Sequence, residues 1–304
     1  MKTAMILAAG FGTRLRPYSK LRPKPLFPVL GRPLILRTIE KLREAGFTRI
    51  IVNSHYLGQQ ITTLLANETD IICQQESIEL GTGGGMRMAI AHLGSAPVLI
   101  TNADLYHDID YDLVYREHCR KSSTITMVMH NYPRFNKVLV KDNQLLPFSH
   151  NFIYADAINK DKKNQRLAYT GIQVIEPAFL ENIPPGVFAN IIDYYESYLR
   201  NGGQINTITI KDFWADIGTP DDYLALHGHL LSNNSPGDDW LPLNNRGFYR
   251  ANNARMGNNI TCLDWGIIGR GAAVGDNVNL KRVVVWDGAN IPSGSIIQDK
   301  IITK

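Results

Sequence analysis

Cysteine is scarce in this chain of 304 residues. There are three, Cys73, Cys119 and Cys262, and no two of them have the C-x-x-C spacing. Isolated thiols in odd number do not form the framework of a disulfide-rich domain, and they are typical of a reducing compartment. We therefore expect free thiols and a cytoplasmic protein.

Long apolar runs and a strong charge bias are also missing. No uninterrupted apolar segment approaches the ~20 residues that cross a bilayer, and about six apolar residues before Gly10 are too few for a secretory signal. Lys and Arg number 32 against 28 Asp and Glu, and no basic stripe with interleaved aromatic residues occurs. We expect neither a membrane partner nor a nucleic-acid partner.

Two common phosphate-binding motifs are absent. The Walker-type string G-x-x-x-x-G-K-[ST] does not occur. The dinucleotide fingerprint is incomplete, because Leu15 stands where its third small residue belongs and no clear acidic ribose ligand follows the second strand. These absences exclude the two designs that a Gly-x-Gly turn most often suggests.

A Gly-rich turn with two cations is present instead. The apolar run 4–9 ends in Gly10-Phe11-Gly12-Thr13, Arg14 follows directly, and Lys24 stands between two prolines. Glycines at a strand end let backbone amides approach phosphate oxygens, and fixed cations neutralise the charge. A solvated basic loop is the simpler interpretation of such a run taken alone.

Strand and helix patterns alternate up to residue 231. Apolar strand segments are followed by amphipathic helical segments, as in 4–9 and 34–45. A second Gly-rich turn, 80–85, is predicted before a helix. Asp142-Asn143 is a predicted turn, and 149–165 is a predicted polar loop. The alternation predicts an α/β fold with a Rossmann-like, mostly parallel mixed sheet, flanking helices and a site at the strand ends.

The C-terminal part has a different period. Aliphatic residues recur every six positions at Ile268, Val274 and Leu280 and, after a slip of one residue, at Val285, Ile291 and Ile297. Such hexads predict a short parallel β-helix, here a cap or assembly domain. We therefore predict a catalytic domain over 1–232, a linker over 233–245 and a hexapeptide-repeat domain over 246–304.

Five strings, in this order, carry a family resemblance: LAAGFGTRLRP, PKPLFPV, LGTGG, NAD and WADIGTP. With them the chain resembles the sugar-1-phosphate nucleotidyltransferases. The hexad region resembles the left-handed parallel β-helix appended to many members, including mannose-1-phosphate guanylyltransferases. The implied reaction is attack of a sugar 1-phosphate on the α-phosphorus of an NTP, with release of pyrophosphate.

The resemblance assigns roles to the two cations. Arg14 matches the Arg that contacts the leaving β/γ phosphates, and Lys24 matches the Lys between the α-phosphate and the sugar phosphate. A phosphate monoester with a second pKa of about 6 is already an anion. No histidine base is therefore expected, and catalysis rests on positioning and charge neutralisation.

Two aspartates at predicted strand ends, Asp104 and Asp216, match the family's ligands for one Mg²⁺. Carboxylate oxygens and substrate phosphates are what this ion prefers. The structural alternative is a turn or N-cap role for each. The resemblance further implies nucleotide contacts from eight residues: Leu7, Ala8, Ala9, Gly10, Gly12, Thr13, Gln75 and Gly81. It implies sugar contacts from Asn102 and Gly171, although a strand glycine also marks bulges.

One family string is missing. Many relatives carry Glu-Lys-Pro between the NAD and Gly171 motifs, and residues 132–168 contain none. Arg134 and Lys137 are candidates to supply the positive charge of the missing lysine. The subgroup resembling N-acetylmuramate-1-phosphate uridylyltransferase also lacks the string and shares the run Gly83-Gly84-Gly85.

The sequence does not decide between two pairs of substrates. The PKPLFPV string and the hexad tail favour GTP with mannose 1-phosphate or a similar sugar, which we place first. The missing Glu-Lys-Pro favours UTP with N-acetylmuramate 1-phosphate or a hexose 1-phosphate. A non-catalytic regulatory subunit is disfavoured because both cations and both aspartates are present. A β-helix acyltransferase is disfavoured because the last histidine, His229, precedes the hexads. An open β-helix end favours a homo-oligomer formed through the C-terminal domain.

Overall fold

The computed structural model describes residues 1–147, 164–233 and 236–303. The chain forms two compact units. Unit 1 consists of Met1–Gly10 and Thr38–Trp214, and unit 2 of Phe11–Arg37 and Ala215–Lys304. The predicted polar loop falls almost entirely outside the described residues, as do residues 234 and 235 of the predicted linker.

The strands, in chain order, are β1 (Lys2–Leu7), β2 (Pro28–Val29), β3 (Arg32–Pro33), β4 (Phe47–Ser54), β5 (Ile71–Gln75), β6 (Val98–Asn102), β7 (Leu105–His107), β8 (Ile125–His130), β9 (Val138–Lys141), β10 (Gln144–Leu145), β11 (Asn164–Ile175), β12 (Asn206–Ile210), β13 (Trp214–Asp216), β14 (Trp240–Pro242), β15 (Phe248–Ala251), β16 (Arg255–Met256), β17 (Thr261–Ile268), β18 (Ala273–Val274), β19 (Asn279–Val285), β20 (Asn290–Ile291) and β21 (Ile296–Ile302).

The α-helices are α1 (Leu34–Glu44), α2 (Gly58–Leu64), α3 (Gly81–Met88), α4 (Ile90–Leu93), α5 (Tyr111–Lys121), α6 (Pro177–Leu180), α7 (Ile191–Arg200) and α8 (Pro220–Asn233). Short 3-10 helices cover Thr13–Leu15, Tyr18–Lys20, Lys24–Leu26 and Pro133–Phe135. No helix among the described residues is long and apolar enough to cross a membrane.

Unit 1 is built on a nine-stranded mixed sheet, with the order β5-β4-β1-β6-β11-β8-β12-β10-β9. Strands β5, β4, β1 and β6 are parallel, and β11 runs antiparallel to both of its neighbours β6 and β8. The apolar runs of β4, β1 and β6 are buried, as expected for strands covered on both faces, whereas Ile71 and Ile72 of the edge strand β5 are half-buried. The predicted α/β mixed-sheet class is confirmed.

The turn residues between β9 and β10 determine how these two strands pair in a hairpin. Asp142 and Asn143 have positive φ angles of 50° and 59°, and the strands on either side of them pair in antiparallel register. Two consecutive residues with positive φ are what a type I′ hairpin turn requires, and Asp and Asn tolerate that conformation. The predicted turn is confirmed.

Unit 2 contains the parallel β-helix. Its coils contribute the parallel strands β15, β17, β19 and β21 to one sheet, with β14 antiparallel to β15 at its edge, and β16, β18 and β20 to a second sheet. Thr261 pairs with Asn279 and Asn279 with Ile296, so successive coils are 18 and 17 residues long. The shorter coil accounts for the one-residue slip in the hexads. Five hexad residues are buried, at 4% exposure or less, and Ile297 is half-buried.

Several local predictions need correction. In place of the Gly-rich turn predicted over 80–85, residues 81–85 form the first part of helix α3 and Leu80 is its N-cap. The predicted helical segment 34–45 is α1, which ends at Glu44, and Pro33 before it belongs to β3. Trp240–Pro242, inside the predicted linker, form β14 and pair with β15. The domain boundaries at 232 and 245 remain predictions.

Candidate active site

The predicted site residues divide between the two units. Unit 1 holds Leu7, Ala8, Ala9, Gly10, Gln75, Gly81, Asn102, Asp104 and Gly171, and unit 2 holds Gly12, Thr13, Arg14, Lys24 and Asp216.

Three parallel strands of unit 1 end at the same level. Leu7 at the end of β1 is in register with Asn53 of β4 on one side and with Asn102 of β6 on the other. The Leu7 carbonyl accepts from the Ala103 N–H at 3.0 Å, and the Ala8 N–H donates to Asn53 Oδ1 at 2.8 Å. Nucleotide contacts from these two residues would therefore have to use their other backbone groups.

The chain beyond Ala8 becomes progressively more exposed. Ala9 is half-buried and Gly10 is exposed. A Cβ built on Gly10 would meet nothing within 4 Å. Packing therefore does not require a glycine at position 10. The open space around it leaves room for a ligand to approach its backbone closely.

Sequence reasoning missed a buried polar pair behind this edge. Asn53 Nδ2 donates to Glu76 Oε1 at 2.7 Å, and Glu76 Oε2 accepts from the Leu80 N–H at 3.4 Å. Burial raises the pKa of the Glu76 carboxyl, while the bond from Asn53 opposes that rise. The pair holds the end of β1 and the start of α3 in fixed positions. Asn53 at a strand end was a visible signal; its partner 23 residues later was not.

Gln75 and the second glycine run are close in sequence, one at the end of β5 and the other in α3. Gln75 is the exposed last residue of β5. Gly81 has a positive φ of 68°, and a Cβ there would lie 2.7 Å from the Ala189 carbonyl. A Cβ at Gly84 would lie 2.6 Å from the Val187 carbonyl. The run is therefore explained by close packing of α3 against the segment before α7.

Asn102 and Gly171 lie together. Gly171 has a φ of 82°, and a Cβ on it would lie 2.6 Å from Asn102 Nδ2. It also sits where the register between β11 and β8 shifts, so it marks a bulge. The bulge and the contact with Asn102 give this glycine a structural role, and its sugar-binding role stays a prediction. Asp104 follows β6 by two residues and is half-buried.

The candidate cations for the missing Glu-Lys-Pro string lie on the surface of unit 1. Arg134 is exposed and its guanidinium lies 5.0 Å from the centre of the Phe135 ring. Lys137 is exposed as well. Neither position identifies the replacement for that string.

In unit 2 the first Gly-rich turn is tightly folded. Gly12 has a φ of 60° and precedes the 3-10 helix that contains Thr13 and Arg14. A Cβ on Gly12 would lie 3.3 Å from Ser19 Cβ and 3.6 Å from Lys24 Cβ. The glycine thus allows the turn to approach the segment that carries Lys24. Thr13 and Arg14 are both exposed.

Lys24 and Asp216 form an ion pair. Lys24 Nζ lies 3.2 Å from Asp216 Oδ1, and the two side chains are only 9% and 19% exposed. They are 192 residues apart in sequence. The lysine predicted to contact phosphate and the aspartate predicted to bind Mg²⁺ are therefore direct neighbours.

Arg14 lies close to the same carboxylate. A Cβ built on Gly218 would lie 3.1 Å from Asp216 Oδ2, 3.2 Å from Asp222 Oδ2 and 3.3 Å from Arg14 Nη1. Three charged side chains thus surround one glycine. Asp222 was not predicted. It follows Thr219, whose hydroxyl donates to it at 2.8 Å.

Within the described residues, no group of three or more His, Cys, Asp and Glu side chains could hold a metal ion. Mg²⁺ commonly needs only one or two carboxylates, because waters and substrate phosphates complete its shell. Asp104 in unit 1 and Asp216 in unit 2 each carry a carboxylate, the donor group that Mg²⁺ prefers.

Three buried histidines have structural roles. Burial lowers the pKa of His107 to about 3 and those of His118 and His227 to about 4. Their Nδ1 or Nε2 atoms bond to Tyr111, Thr126 and the Tyr223 carbonyl, respectively. These rings are neutral at physiological pH and are occupied by internal hydrogen bonds.

Comparisons with known proteins agree with the motifs. A family model described as nucleotidyl transferase matches residues 3–137. The chain is 30% identical over 230 residues to N-acetylmuramate alpha-1-phosphate uridylyltransferase of Neisseria meningitidis serogroup B, covering 71% of this chain and 93% of the relative. It is 26% identical over 324 residues to the protein named "Probable mannose-1-phosphate guanylyltransferase 2" of Oryza sativa subsp. japonica, covering 98% and 85%.

A solved structure shares the fold. HddC from Yersinia pseudotuberculosis superposes with a TM-score of 0.62 at 22% identity, over 75% of this chain and 99% of that one. Sequence motifs, a relative at 30% identity and the shared fold point the same way. The chain belongs to the nucleotidyl transferase family.

Proposed function

We propose that the chain is a sugar-1-phosphate nucleotidyltransferase that uses GTP and mannose 1-phosphate or a similar sugar. Family membership establishes the class of enzyme. The observation that supports the chemistry is the Lys24–Asp216 ion pair with Arg14 beside the same carboxylate. It places two cations next to a carboxylate that could hold a divalent ion, which suits a reaction between two phosphate anions.

The proposed step is a displacement at the α-phosphorus. An oxygen of the sugar phosphate forms a bond to that phosphorus, and the bond to the oxygen that bridges to the β-phosphorus breaks. The products are a nucleoside diphosphate sugar and pyrophosphate, which keeps the electron pair of the broken bond. The attacking phosphate is already ionised near neutral pH, so no proton has to be removed.

The protein's contribution is charge neutralisation and positioning. Arg14 would neutralise charge on the leaving pyrophosphate, and Lys24 would contact the α-phosphate and the incoming sugar phosphate. Nearly buried in a Pro-Lys-Pro setting, Lys24 has little freedom to move. Its pairing with Asp216 keeps both side chains in place before the substrates bind.

We propose Mg²⁺ as the cofactor, with Asp104 and Asp216 as its protein ligands. When bound, it would supply Lewis-acid neutralisation of the phosphate oxygens. Lys24 would then keep Asp216 oriented toward the ion and contribute its remaining charge to the phosphates.

The choice of GTP rests on two observations. The Oryza sativa relative, whose name is that of a mannose-1-phosphate guanylyltransferase, matches 98% of this chain, and that span includes the β-helix. The Neisseria meningitidis relative, whose name is that of a uridylyltransferase, matches 71% of this chain. UTP with N-acetylmuramate 1-phosphate is the alternative, since that relative has the higher identity. The free cysteines support the proposed cytoplasmic setting, and self-association through the β-helix is likewise proposed.

A substrate panel tests the proposal. Purified protein is incubated with each of the four common NTPs, a set of sugar 1-phosphates and Mg²⁺, and pyrophosphate release is measured. We expect release with GTP and mannose 1-phosphate, loss on adding a chelator and recovery with excess Mg²⁺. Release only with UTP would establish the alternative, and no release with any pair would contradict the proposal.

A variant pair links the activity to the Gly-rich turn. Arg14→Met should lower kcat by about 100-fold, as expected when one charge-stabilising group is removed. Lys20→Met removes the same charge from an exposed position of the same segment and should retain activity. Equal losses in both variants would indicate a general charge effect and not a specific role for Arg14.

A further inference from the structure

The β-helix packs directly against the segment that carries Arg14 and Lys24. We call residues 11–37 the signature segment; they belong to unit 2 together with the β-helix. Trp286, which directly follows β19, is 4% exposed. Its ring lies 5.0 Å from the Phe27 ring, and the Arg22 guanidinium lies 4.9 Å from its centre. Arg22 and Phe27 flank Lys24 at two and three residues' distance.

A second contact runs through helix α8. The Tyr223 hydroxyl accepts from Trp286 Nε1 at 3.2 Å and donates to the Pro28 carbonyl. Its ring lies 5.7 Å from the Phe27 ring in an edge-on arrangement. Trp286, Tyr223 and Phe27 therefore form one buried aromatic cluster that connects the β-helix to the signature segment.

The end of the segment is held in the same way. Gly31 has a φ of 72° and lies so close to the Trp240 ring that no side chain could be accommodated there. Arg270 Nη1 donates to the Gly31 carbonyl at 2.9 Å. The Leu30 N–H donates to His227 Nε2 at 3.4 Å. Contacts from the C-terminal part thus continue along the segment beyond Lys24.

The segment needs such support because it has little regular structure of its own. Between Phe11 and Leu26 it contains only three 3-10 turns of three residues each. Turns of this length do not stabilise themselves, so their conformation depends on the packing around them.

We propose that Trp286 is a positioning residue for catalysis: it holds the signature segment so that Lys24 faces Asp216. The inference rests on the proposed function and extends it, because it makes the β-helix part of the active-site framework. A displacement of about 1 Å in a catalytic group can cost roughly 100-fold in rate. We therefore expect loss of the Trp286 ring to lower kcat.

Three variants test the proposal. Trp286→Leu removes the ring, Trp286→Phe keeps an aromatic ring but loses the Nε1 donor, and Trp265→Leu is the matched control. Trp265 also belongs to the β-helix, but it packs against Gly228 of α8, where an added Cβ would lie 2.8 Å from its Nε1. Each variant is assayed for kcat and for KM toward the sugar 1-phosphate.

A second measurement does not depend on activity. Trypsin does not cut before proline, so Arg16, Arg22 and Lys24 are protected by sequence. The Arg14–Leu15 and Lys20–Leu21 bonds are cleavable and report on loosening of the signature segment. If the wild type had no transferase activity, the proposed function would fail while this measurement still tested the packing.

For Trp286→Leu we expect kcat to fall by about 100-fold, with KM changed by less than about threefold. Cleavage at Lys20–Leu21 should become at least about tenfold faster. Trp286→Phe should recover both values to within about fivefold, and Trp265→Leu should resemble the wild type. Wild-type kcat and cleavage in Trp286→Leu, or equal losses in Trp265→Leu, would overturn the proposal.

If Trp286→Leu fails to fold, Tyr223→Phe provides the test. It keeps the ring and loses both hydroxyl bonds, so cleavage should be accelerated by about threefold or more. Unchanged cleavage and kcat in Tyr223→Phe would then overturn the proposal.

Discussion

Replacing Lys24 by Met should reduce both stability and activity, and the ion pair with Asp216 is the reason. At the observed 3.2 Å, the Coulomb attraction is about 5 kcal/mol with an effective dielectric constant of ~20. Desolvation of two nearly buried side chains offsets much of it. Removing one partner leaves a mostly buried carboxylate, and we expect a loss of about 1–3 kcal/mol, less than for a completely buried pair.

A double-mutant cycle isolates this interaction. Lys24→Met, Asp216→Asn and the double variant are compared by urea unfolding, with Lys20→Met as the exposed-charge control. The double variant has neither charge, so the coupling free energy should be about 1–3 kcal/mol. In kinetic assays each single variant should lose about 100- to 1,000-fold in kcat. The double variant should be no slower than the slower single variant, because the two residues act as a unit.

The reasoning would be refuted by additivity. If the stability losses of the single variants add within about 0.5 kcal/mol, the two side chains do not interact appreciably. A Lys24→Met enzyme with wild-type kcat would remove Lys24 from the mechanism. A Lys20→Met enzyme with the same losses as Lys24→Met would show that net charge alone is responsible.

Three further predictions concern unit 1. In urea unfolding, Gly10→Ala should leave the stability unchanged, and it should raise the KM for NTP. Gly84→Ala should cost about 1–3 kcal/mol in the same unfolding assay, since its Cβ would meet a backbone carbonyl; equal stabilities of the two variants would contradict this. Gly171→Ala should raise the sugar 1-phosphate KM by about tenfold or more, because its Cβ displaces Asn102; an unchanged KM would exclude the sugar role. Asn53→Ala should be destabilised more at pH 7.5 than at pH 5. Burial raises the folded-state pKa of Glu76, so its contribution to folding stability is lost as pH rises. The bond from Asn53 stabilises the ionised carboxylate, and its loss therefore costs more stability at the higher pH. A pH-independent deficit would contradict the Asn53–Glu76 link.

Much of the fold was predictable because its signals are local. The apolar run that becomes β1 and the Asp142-Asn143 turn depend on neighbouring residues only. The hexads that fill the β-helix are likewise a short-range pattern, and even their one-residue slip corresponds to a real 17-residue coil. The family motifs added the reaction class, since they preserve order and spacing over most of the chain.

The second glycine run shows where local patterns mislead. Gly81 and Gly84 were predicted to lie in a turn before a helix, but they lie within helix α3, which packs against the carbonyls of Val187 and Ala189. A glycine required by a close neighbour and a glycine required by a ligand look identical in sequence. Only the position of a segment a hundred residues away distinguishes them.

By itself, the sequence determined the α/β class, the β-helix, the family and the identity of the candidate cations and carboxylates. It did so because periodicity, turn chemistry and motif spacing are properties of short stretches. The tertiary structure decided which of these groups meet: Lys24 with Asp216, Asn53 with Glu76, and Trp286 with the signature segment. Such pairings join distant parts of the chain through burial and charge, and no local pattern encodes them.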